Sequence, residues 1–256
     1  MARNTAVLKR EENIIHLTYE DIIMLKKEIK YRNPLTNLGY EHEDILPNGG
    51  FGAILAHAGV GKTALLVQIA LNTMIREESA LHLSLQDAVS KVDVWYQELF
   101  QNIAGKFSDA EAQEYWDKIQ PYRFIMTFRV ESFSAANFEE RLTDLMQQNI
   151  FKPHTVLIDG LKFDEAGRGQ MVLLKELAKK YSMRVWFTVH EHRNEAPAEN
   201  GLPVSFLHVA DLFDVMVQLE AKGDEVYINS LKGKSSSAKP HTLRLDPATM
   251  LIKSVK

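Results

Sequence analysis

Residues 56–63 of the chain read AHAGVGKT and stand between two apolar stretches, a short one at 51–55 and a longer one at 63–75. The end of this segment, Gly61-Lys62-Thr63, follows the pattern G-x-x-x-x-G-K-[ST], with Ala56 in the place of the first glycine. A glycine-rich turn between a strand and a helix directs backbone N–H groups and the positive end of the helix dipole at one point. The segment therefore predicts a phosphate-binding loop rather than a glycine turn that ends in Lys-Thr by chance.

The residues of this loop have separate predicted roles in holding a nucleoside triphosphate. Lys62 is expected to reach the β- and γ-phosphates, and the hydroxyl of Thr63 is expected to ligate Mg²⁺. Contacts to the nucleotide are predicted for His57, Ala58, Gly59, Val60, Gly61, Lys62, Thr63 and Ala64. A second Gly-Lys-Ser at 233–235 is not expected to bind phosphate, because Ile228 takes the place of its first glycine and no helix follows.

Downstream of the loop, segments of strand type and helix type alternate. Apolar runs of strand length occur at 80–85, 123–128, 155–158 and 184–189, and apolar residues at helical spacing lie between them. The inner runs are continuously apolar, which is typical of strands covered on both faces. This alternation predicts an α/β fold, a mostly parallel sheet with helices on both faces.

The end of the chain departs from this alternation. Residues 213–219, 225–231 and 242–245 read as successive strands joined by short turns. They predict antiparallel strands at the C-terminal edge of the sheet.

The N-terminal residues read as an appendage. A helix is predicted over 18–29 from a capping box and an apolar face, and a loose stretch follows it. We therefore expect an N-terminal helical extension at 1–48 and one main domain at 49–256, which contains the phosphate loop.

The composition restricts the class of protein. The chain has 256 residues, of which 45% are hydrophobic and 25% are charged, values typical of globular proteins. The absence of cysteine excludes disulfides, thiolate metal sites and a cysteine nucleophile. A net charge of -4 does not favour a general attraction to nucleic acid or to acidic membranes. With neither a signal peptide nor a membrane span in view, we expect a cytoplasmic location and no membrane partner.

An acidic residue follows the apolar run at 155–158. Asp159 alone would be an ordinary strand end, since an acid after a few apolar residues is common. With a phosphate loop upstream in the same sheet, Asp159 is predicted to hold Mg²⁺ through water, next to Thr63.

The segment at 50–85, together with Asp159 and the strands after it, resembles the RecA-type P-loop ATPases. The resemblance is greatest to the arm that contains KaiC-like proteins and replicative helicases. It covers residues 45–250, with specific matches in the phosphate loop and at Asp159 and positional matches elsewhere. It implies a RecA-like core, ATP with Mg²⁺ as ligands, and hydrolysis of ATP.

The resemblance places a water-activating glutamate within residues 84–87, which read SLQD. Gln86 stands at the position of the glutamate, and an amide cannot accept a proton as a general base. Two interpretations of Asp87 stay open: it replaces the glutamate, or it caps the helix that follows. Slow hydrolysis, or none, is therefore expected.

A polar sensor of the γ-phosphate is implied at His190. The neighbouring sequence His190-Glu191-His192 lacks the H-E-x-x-H spacing of a zinc site. In a strand, His190 and His192 point the same way and Glu191 points the opposite way. A polar strand end is therefore favoured over a metal site.

A late hairpin in these ATPases carries a basic pair that reaches the nucleotide of the neighbouring subunit. Lys232 and Lys234 match this pair, and the alternative is a solvated lysine loop. The trans role is favoured, because a cation supplied by a neighbour couples assembly to hydrolysis. It implies a homo-oligomer, either a ring or a filament.

Three functions follow as hypotheses. The first is a slow oligomeric ATPase that uses its nucleotide state to control assembly or binding of a protein partner. The second is a nucleotide-gated binding module with little or no hydrolysis, and the third is an accessory ATPase of DNA recombination or of a helicase. Nucleic-acid binding stays open but has no support, because the loops at 162–168 and 191–203 lack concentrated lysine and arginine.

Overall fold

The computed structural model describes residues 23–24, 26–27, 45–163, 167–192, 197–198, 201–233 and 243–251. The helix predicted over 18–29 lies mostly outside them, and its described residues Ile23, Met24, Lys26 and Lys27 are helical.

Eight strands in the described residues form one sheet. Their bounds are β1 Phe51–Ala56, β2 Ala80–Ser84, β3 Arg123–Thr127, β4 Thr155–Asp159, β5 Arg184–His190, β6 Val215–Lys222, β7 Glu225–Lys232 and β8 Leu243–Leu245. The helices of the domain are α1 Lys62–Ile75, α2 Val89–Ala104, α3 Asp109–Ile119, α4 Ala135–Gln147 and α5 Arg168–Lys180. Among the described residues, no helix is both long enough and apolar enough to cross a membrane.

The strand order across the sheet is β3-β2-β4-β5-β1-β6-β7-β8. The first six strands of this order, β3-β2-β4-β5-β1-β6, are parallel to their neighbours. The β6–β7 and β7–β8 pairs are antiparallel. The predicted α/β class, the mostly parallel sheet and the antiparallel C-terminal edge are thus confirmed. The carboxyl ends of β1, β2, β4 and β5 meet at one edge, where ligands bind in open α/β sheets.

Each face of the sheet has its own hydrophobic core. One core contains buried residues of α1, α2 and α3, and the other contains buried residues of α4 and α5. The central strand β1 contributes to both faces, with Ile54 in the first core and Leu55 in the second. Gly52 of this strand has no space for a side chain, because a Cβ there would overlap the indole of Trp186 on β5.

Strand β6 begins later than the sequence predicts. The residues before it form a 3-10 helix, Val204–Leu212, that buries Phe206 and Val209. Asp214 then ties the start of β6 to the start of β1. Its carboxylate accepts the N–H of Phe51 at 2.8 Å, and its own N–H donates to the Phe51 carbonyl at 2.8 Å.

The last residues of the predicted extension lie against the domain. Leu46 is only 1% exposed and belongs to the core beside α1. The N–H of Gly49 donates to the carbonyl of Met183, just before β5, at 2.9 Å.

Candidate functional site

The loop between β1 and α1 is shaped by two glycines with positive φ. β1 ends at the buried Ala56, and the chain then turns through Gly59 at φ 79° and Gly61 at φ 112°. Glycine adopts these angles without the steric cost of a side chain. Helix α1 begins at Lys62, and no side chain caps the N–H groups of its first turn.

The ammonium group of Lys62 lies inside this loop. Its Nζ donates to the carbonyl of Ala56 at 2.8 Å and to the carbonyl of His57 at 2.9 Å. Burial lowers the pKa of Lys62, while Asp159 and Glu191 act in the opposite direction. The lysine is therefore held over the loop by carbonyl dipoles, within the field of two acids.

Asp159, at the end of β4, receives a hydroxyl on each carboxylate oxygen. Thr63 donates to its Oδ2 at 2.7 Å, and Thr188 of β5 donates to its Oδ1 at 2.6 Å. The N–H of Gly160 donates in turn to the Thr188 hydroxyl at 3.0 Å. Two elements from distant parts of the sequence thus fix the orientation of one carboxylate.

Thr188 was missed as a site residue by the sequence analysis. It lies two positions before His190, and alternate residues of a strand share a face. That periodicity is the signal that would have placed Thr188 beside the phosphate loop.

A cleft of about 510 Å³ opens between the loop and the strand ends. The loop contributes Lys62 and Thr63 to its wall, and the strand ends contribute Asp159 and His190. The remaining wall is formed by Ala58, Gly59, Gln86, Gly160, Leu161, Lys162, Phe163, Thr188, His192 and Ser205.

Gln86 and Asp87 separate at the end of β2. Gln86 lines the cleft, and its Nε2 lies 3.4 Å from the carbonyl of Gly160. Asp87 is not among the residues that line the cleft, and its Oδ1 accepts from Lys91 Nζ at 2.7 Å. The cap interpretation of Asp87 is wrong, because the N-cap of α2 is Ala88 and has no side-chain cap bond.

His190 and His192 share one side of their segment. Both line the cleft, and their ring centroids lie 4.8 Å apart with the planes at 90°. Glu191 points elsewhere: it is 9% exposed and accepts from Gln218 of β6 at 2.7 Å. In the part of the chain that the structure describes, no group of three or more His, Cys, Asp or Glu side chains is arranged to hold a metal ion.

His190 lies in a cationic environment. Burial lowers its pKa, and Lys62, His192 and His57 lower it further, in that order. His57 also joins the loop to the end of β5, because its Nδ1 lies 2.8 Å from the Glu191 carbonyl.

Lys232 lies at the opposite end of the sheet. It is the last residue of β7 and stands opposite Met216, near the start of β6. The start of β6 adjoins the start of β1, because Val215 pairs with Gly52. Met216 also pairs with Ala53 of β1, so Lys232 is level with a residue roughly 10 Å before the end of β1 and lies two strands, about 10 Å, to the side. Lys234 lies outside the described residues.

The chain returns to the phosphate loop near its end. Met250, at φ 55°, places its methyl group against Gly61, and its carbonyl accepts from Gln68 Nε2 at 2.7 Å. Its N–H donates to the Asp246 carbonyl at 2.6 Å, which closes a turn after β8. Nothing local in the sequence indicates this contact, because Gln68 and Met250 are 182 positions apart.

The donor set of the site fits a magnesium-bound polyphosphate. Thr63 and Asp159 provide hydroxyl and carboxylate oxygens, and Mg²⁺ in proteins binds such oxygens together with substrate phosphates and water. A Cβ on Gly59 would have no atom within 4 Å, so the loop is open on that side. Neither protein-family models nor curated protein sequences gave a match to this chain.

Proposed function

We propose that this chain is a RecA-like P-loop protein that binds ATP with Mg²⁺ and hydrolyses it slowly as an oligomer. Its nucleotide state would control assembly or the binding of a protein partner in the cytoplasm. The observation that carries the proposal is the 2.7 Å hydrogen bond between Thr63 and Asp159. It joins the end of the phosphate loop to the acid at the end of β4, two positions that are 96 residues apart in sequence.

The residues of the loop divide the binding between them. Lys62 would exchange the carbonyls of Ala56 and His57 for oxygens of the β- and γ-phosphates. The uncapped N–H groups at the start of α1 would donate to the phosphates. Thr63 and Asp159 would hold Mg²⁺, which neutralises charge on the phosphates when bound. His190 lines the cleft from β5 and would contact the γ-phosphate.

The second candidate is a nucleotide-gated binding module with little turnover. It is favoured by the amide of Gln86 at the cleft wall, where the resemblance implies a carboxylate. The ion pair of Asp87 with Lys91 supports the same candidate, because it occupies the acid next in sequence. No contact among the described residues favours DNA over a protein partner.

The test measures ATP binding and ATP turnover by the purified protein. Lys62→Ala is the loop variant, and Lys222→Ala, at an exposed lysine on the β6–β7 turn, is the matched control. We expect Mg²⁺-dependent binding by the wild type and the control, and loss of binding in Lys62→Ala. Absence of ATP binding by the wild type would overturn the proposal.

Turnover decides between the candidates once binding is established. Phosphate release that Lys62→Ala abolishes identifies an ATPase, and stimulation by single-stranded DNA identifies the DNA-associated form. Tight binding without phosphate release identifies the gated module.

A further inference from the structure

The cleft contains few groups that can take a proton from water. Such a group accelerates hydrolysis, because the attacking water must lose a proton as it bonds to the γ-phosphorus. Asp159 is occupied, since its two oxygens accept from Thr63 and Thr188. The amide of Gln86 is not basic. In the described part of the cleft wall, the remaining proton acceptors are the imidazoles of His190 and His192.

Two further acids lie near the cleft but are engaged elsewhere. Glu191 follows His190, and its carboxylate accepts a hydrogen bond from Gln218 of β6. Asp87 follows Gln86 and is paired with Lys91 along α2. Neither carboxylate is among the residues that line the cleft.

We propose that the imidazole of His190 is the general base of this site, in the role that the resemblance gives to a glutamate at position 86. His192 acts as its positioning residue, with the two rings edge to face. This inference rests on the proposed ATPase function.

In the proposed hydrolysis, one bond to the γ-phosphorus forms and another breaks. The water oxygen bonds to the γ-phosphorus while the bond from that phosphorus to its bridging oxygen breaks. The proton of the water passes to a ring nitrogen of His190, and the electron pair of the broken bond leaves on ADP. The imidazolium then releases its proton to solvent.

The surroundings of His190 suit this role. The charged and titratable groups that act on it are Lys62 of α1, His57 of the loop and His192 of its own segment. All three favour the neutral imidazole, and burial acts in the same direction. A neutral imidazole at pH 7 is able to accept a proton, whereas an imidazolium is not.

The test compares pH–rate profiles of ATP turnover for the wild type, His190→Gln and His192→Gln. Glutamine still donates a hydrogen bond, so a mere sensor of the γ-phosphate would survive this change in part. We expect kcat/KM of the wild type, which reports the free enzyme, to fall in acid with a midpoint below the ordinary 6.5 of histidine. His190→Gln is expected to lose about 10²–10⁴-fold in rate and to lose this acid limb, with ATP affinity unchanged. His192→Gln is expected to keep the limb and shift its midpoint.

A second variant and a second measurement complete the test. Gln86→Glu in the His190→Gln background is expected to restore turnover, with an acid limb in the range of a carboxylate. Titration of the His190 ring by NMR, without nucleotide, is expected to give a midpoint below 6.5.

Each failure has a distinct meaning. A His190→Gln variant that keeps the wild-type rate, or that loses rate but keeps the acid limb, overturns the base assignment and leaves ATP binding intact. ATP binding with no turnover by the wild type also overturns it and leaves the gated module. Absence of ATP binding overturns the proposed function itself.

Discussion

At the scale of single residues, the orientation of Asp159 depends on hydroxyl groups from two elements. Thr63 was predicted from the loop motif, whereas Thr188 comes from a neighbouring strand. Residues that orient a metal ligand typically contribute about 10–100-fold to metal affinity. Thr188 is therefore expected to affect nucleotide binding although it is not predicted to touch the nucleotide.

The variant Thr188→Val removes the hydroxyl and keeps the shape of the side chain. We expect it to weaken Mg²⁺-dependent ATP binding by about 10–100-fold, since Asp159 loses a donor and Gly160 loses an acceptor. Titration calorimetry with and without Mg²⁺ measures the effect. Thr155→Val, at the start of β4, is the matched control, because Thr155 bonds only Thr73 among the described hydroxyl contacts. Equal losses in both variants would contradict the role of Thr188.

The two loop glycines allow a matched comparison. Alanine at Gly59 or at Gly61 places a side chain at positive φ, at a cost of about 1–2 kcal/mol in folding free energy. A Cβ at Gly61 would in addition overlap the methyl group of Met250, whereas one at Gly59 would have no neighbour within 4 Å. We expect Gly61→Ala to be the less stable variant in chemical denaturation. Adding Met250→Ala to both variants is expected to reduce the difference in stability between them. If the difference stays the same, the instability of Gly61→Ala comes from the backbone conformation alone.

Local spacing explains which site residues could be predicted. The loop motif predicts Lys62 and Thr63, and the end of an apolar strand predicts Asp159. Each of these signals lies within a few residues of the residue that it predicts. Met250 reaches the site through a turn near residue 250, far from the loop in sequence. No pattern within a short window encodes this contact, so it could not be predicted from local spacing.

At the scale of elements, the packing of α2 on β2 buries a histidine. His82 of β2 is fully buried, and its Nδ1 lies 3.1 Å from the hydroxyl of Tyr96 on α2. The guanidinium of Arg123 on β3 lies 4.7 Å from the Tyr96 ring centroid. Burial lowers the pKa of His82 from 6.5 to about 4, and Arg123 acts in the same direction.

This burial predicts a loss of stability in acid. Between pH 6.5 and 4 the unfolded chain binds a proton at His82 and the native chain does not. The free energy of unfolding therefore falls as the pH falls through this window, by at most about 1.4 kcal/mol per pH unit. His82→Asn, which cannot titrate, is expected to have a shallower slope in denaturation at pH 7, 6 and 5. An unchanged slope in His82→Asn, or a change as large in the exposed His208→Asn, would contradict this origin.

Strand and helix positions were largely predictable, whereas the order of the strands was not. Continuous apolar runs predicted β1 and β4, because both faces of these strands are covered. The same runs contain no information on which strand pairs with which. The start of β6 at Val215 rather than at residue 213 also escaped prediction, because Phe213 is as apolar and as buried as a strand residue.

At the scale of the whole molecule, Lys232 and the phosphate loop occupy opposite ends of the sheet. Within one chain, the pairing of β7 with β6 holds this lysine away from the loop at 56–63. If Lys232 acts in catalysis, it must therefore act on the nucleotide of a neighbouring subunit.

Mixing two inactive variants tests this arrangement. When Lys62→Ala and Lys232→Ala subunits are mixed, they form mixed oligomers. At some contacts between neighbouring subunits, an intact loop from one subunit then meets an intact Lys232 from the other. We expect a 1:1 mixture to regain about a quarter of the wild-type turnover if subunits associate head to tail at random.

The outcomes of mixing separate the two interpretations of Lys232. No recovery beyond the sum of the separate variants contradicts a trans role. Full activity of Lys232→Ala alone indicates a solvated lysine without a catalytic role.

The position of β1 in the sheet also sets when the site forms during synthesis. A ribosome releases the loop at 56–63 early, yet β1 lies between β5 and β6, which are made more than a hundred residues later. Met250 reaches Gly61 later still. Contacts between distant segments form only after the intervening chain is available. A nascent chain therefore exposes the loop sequence without a formed site, and the site is complete only in a chain translated nearly to residue 250.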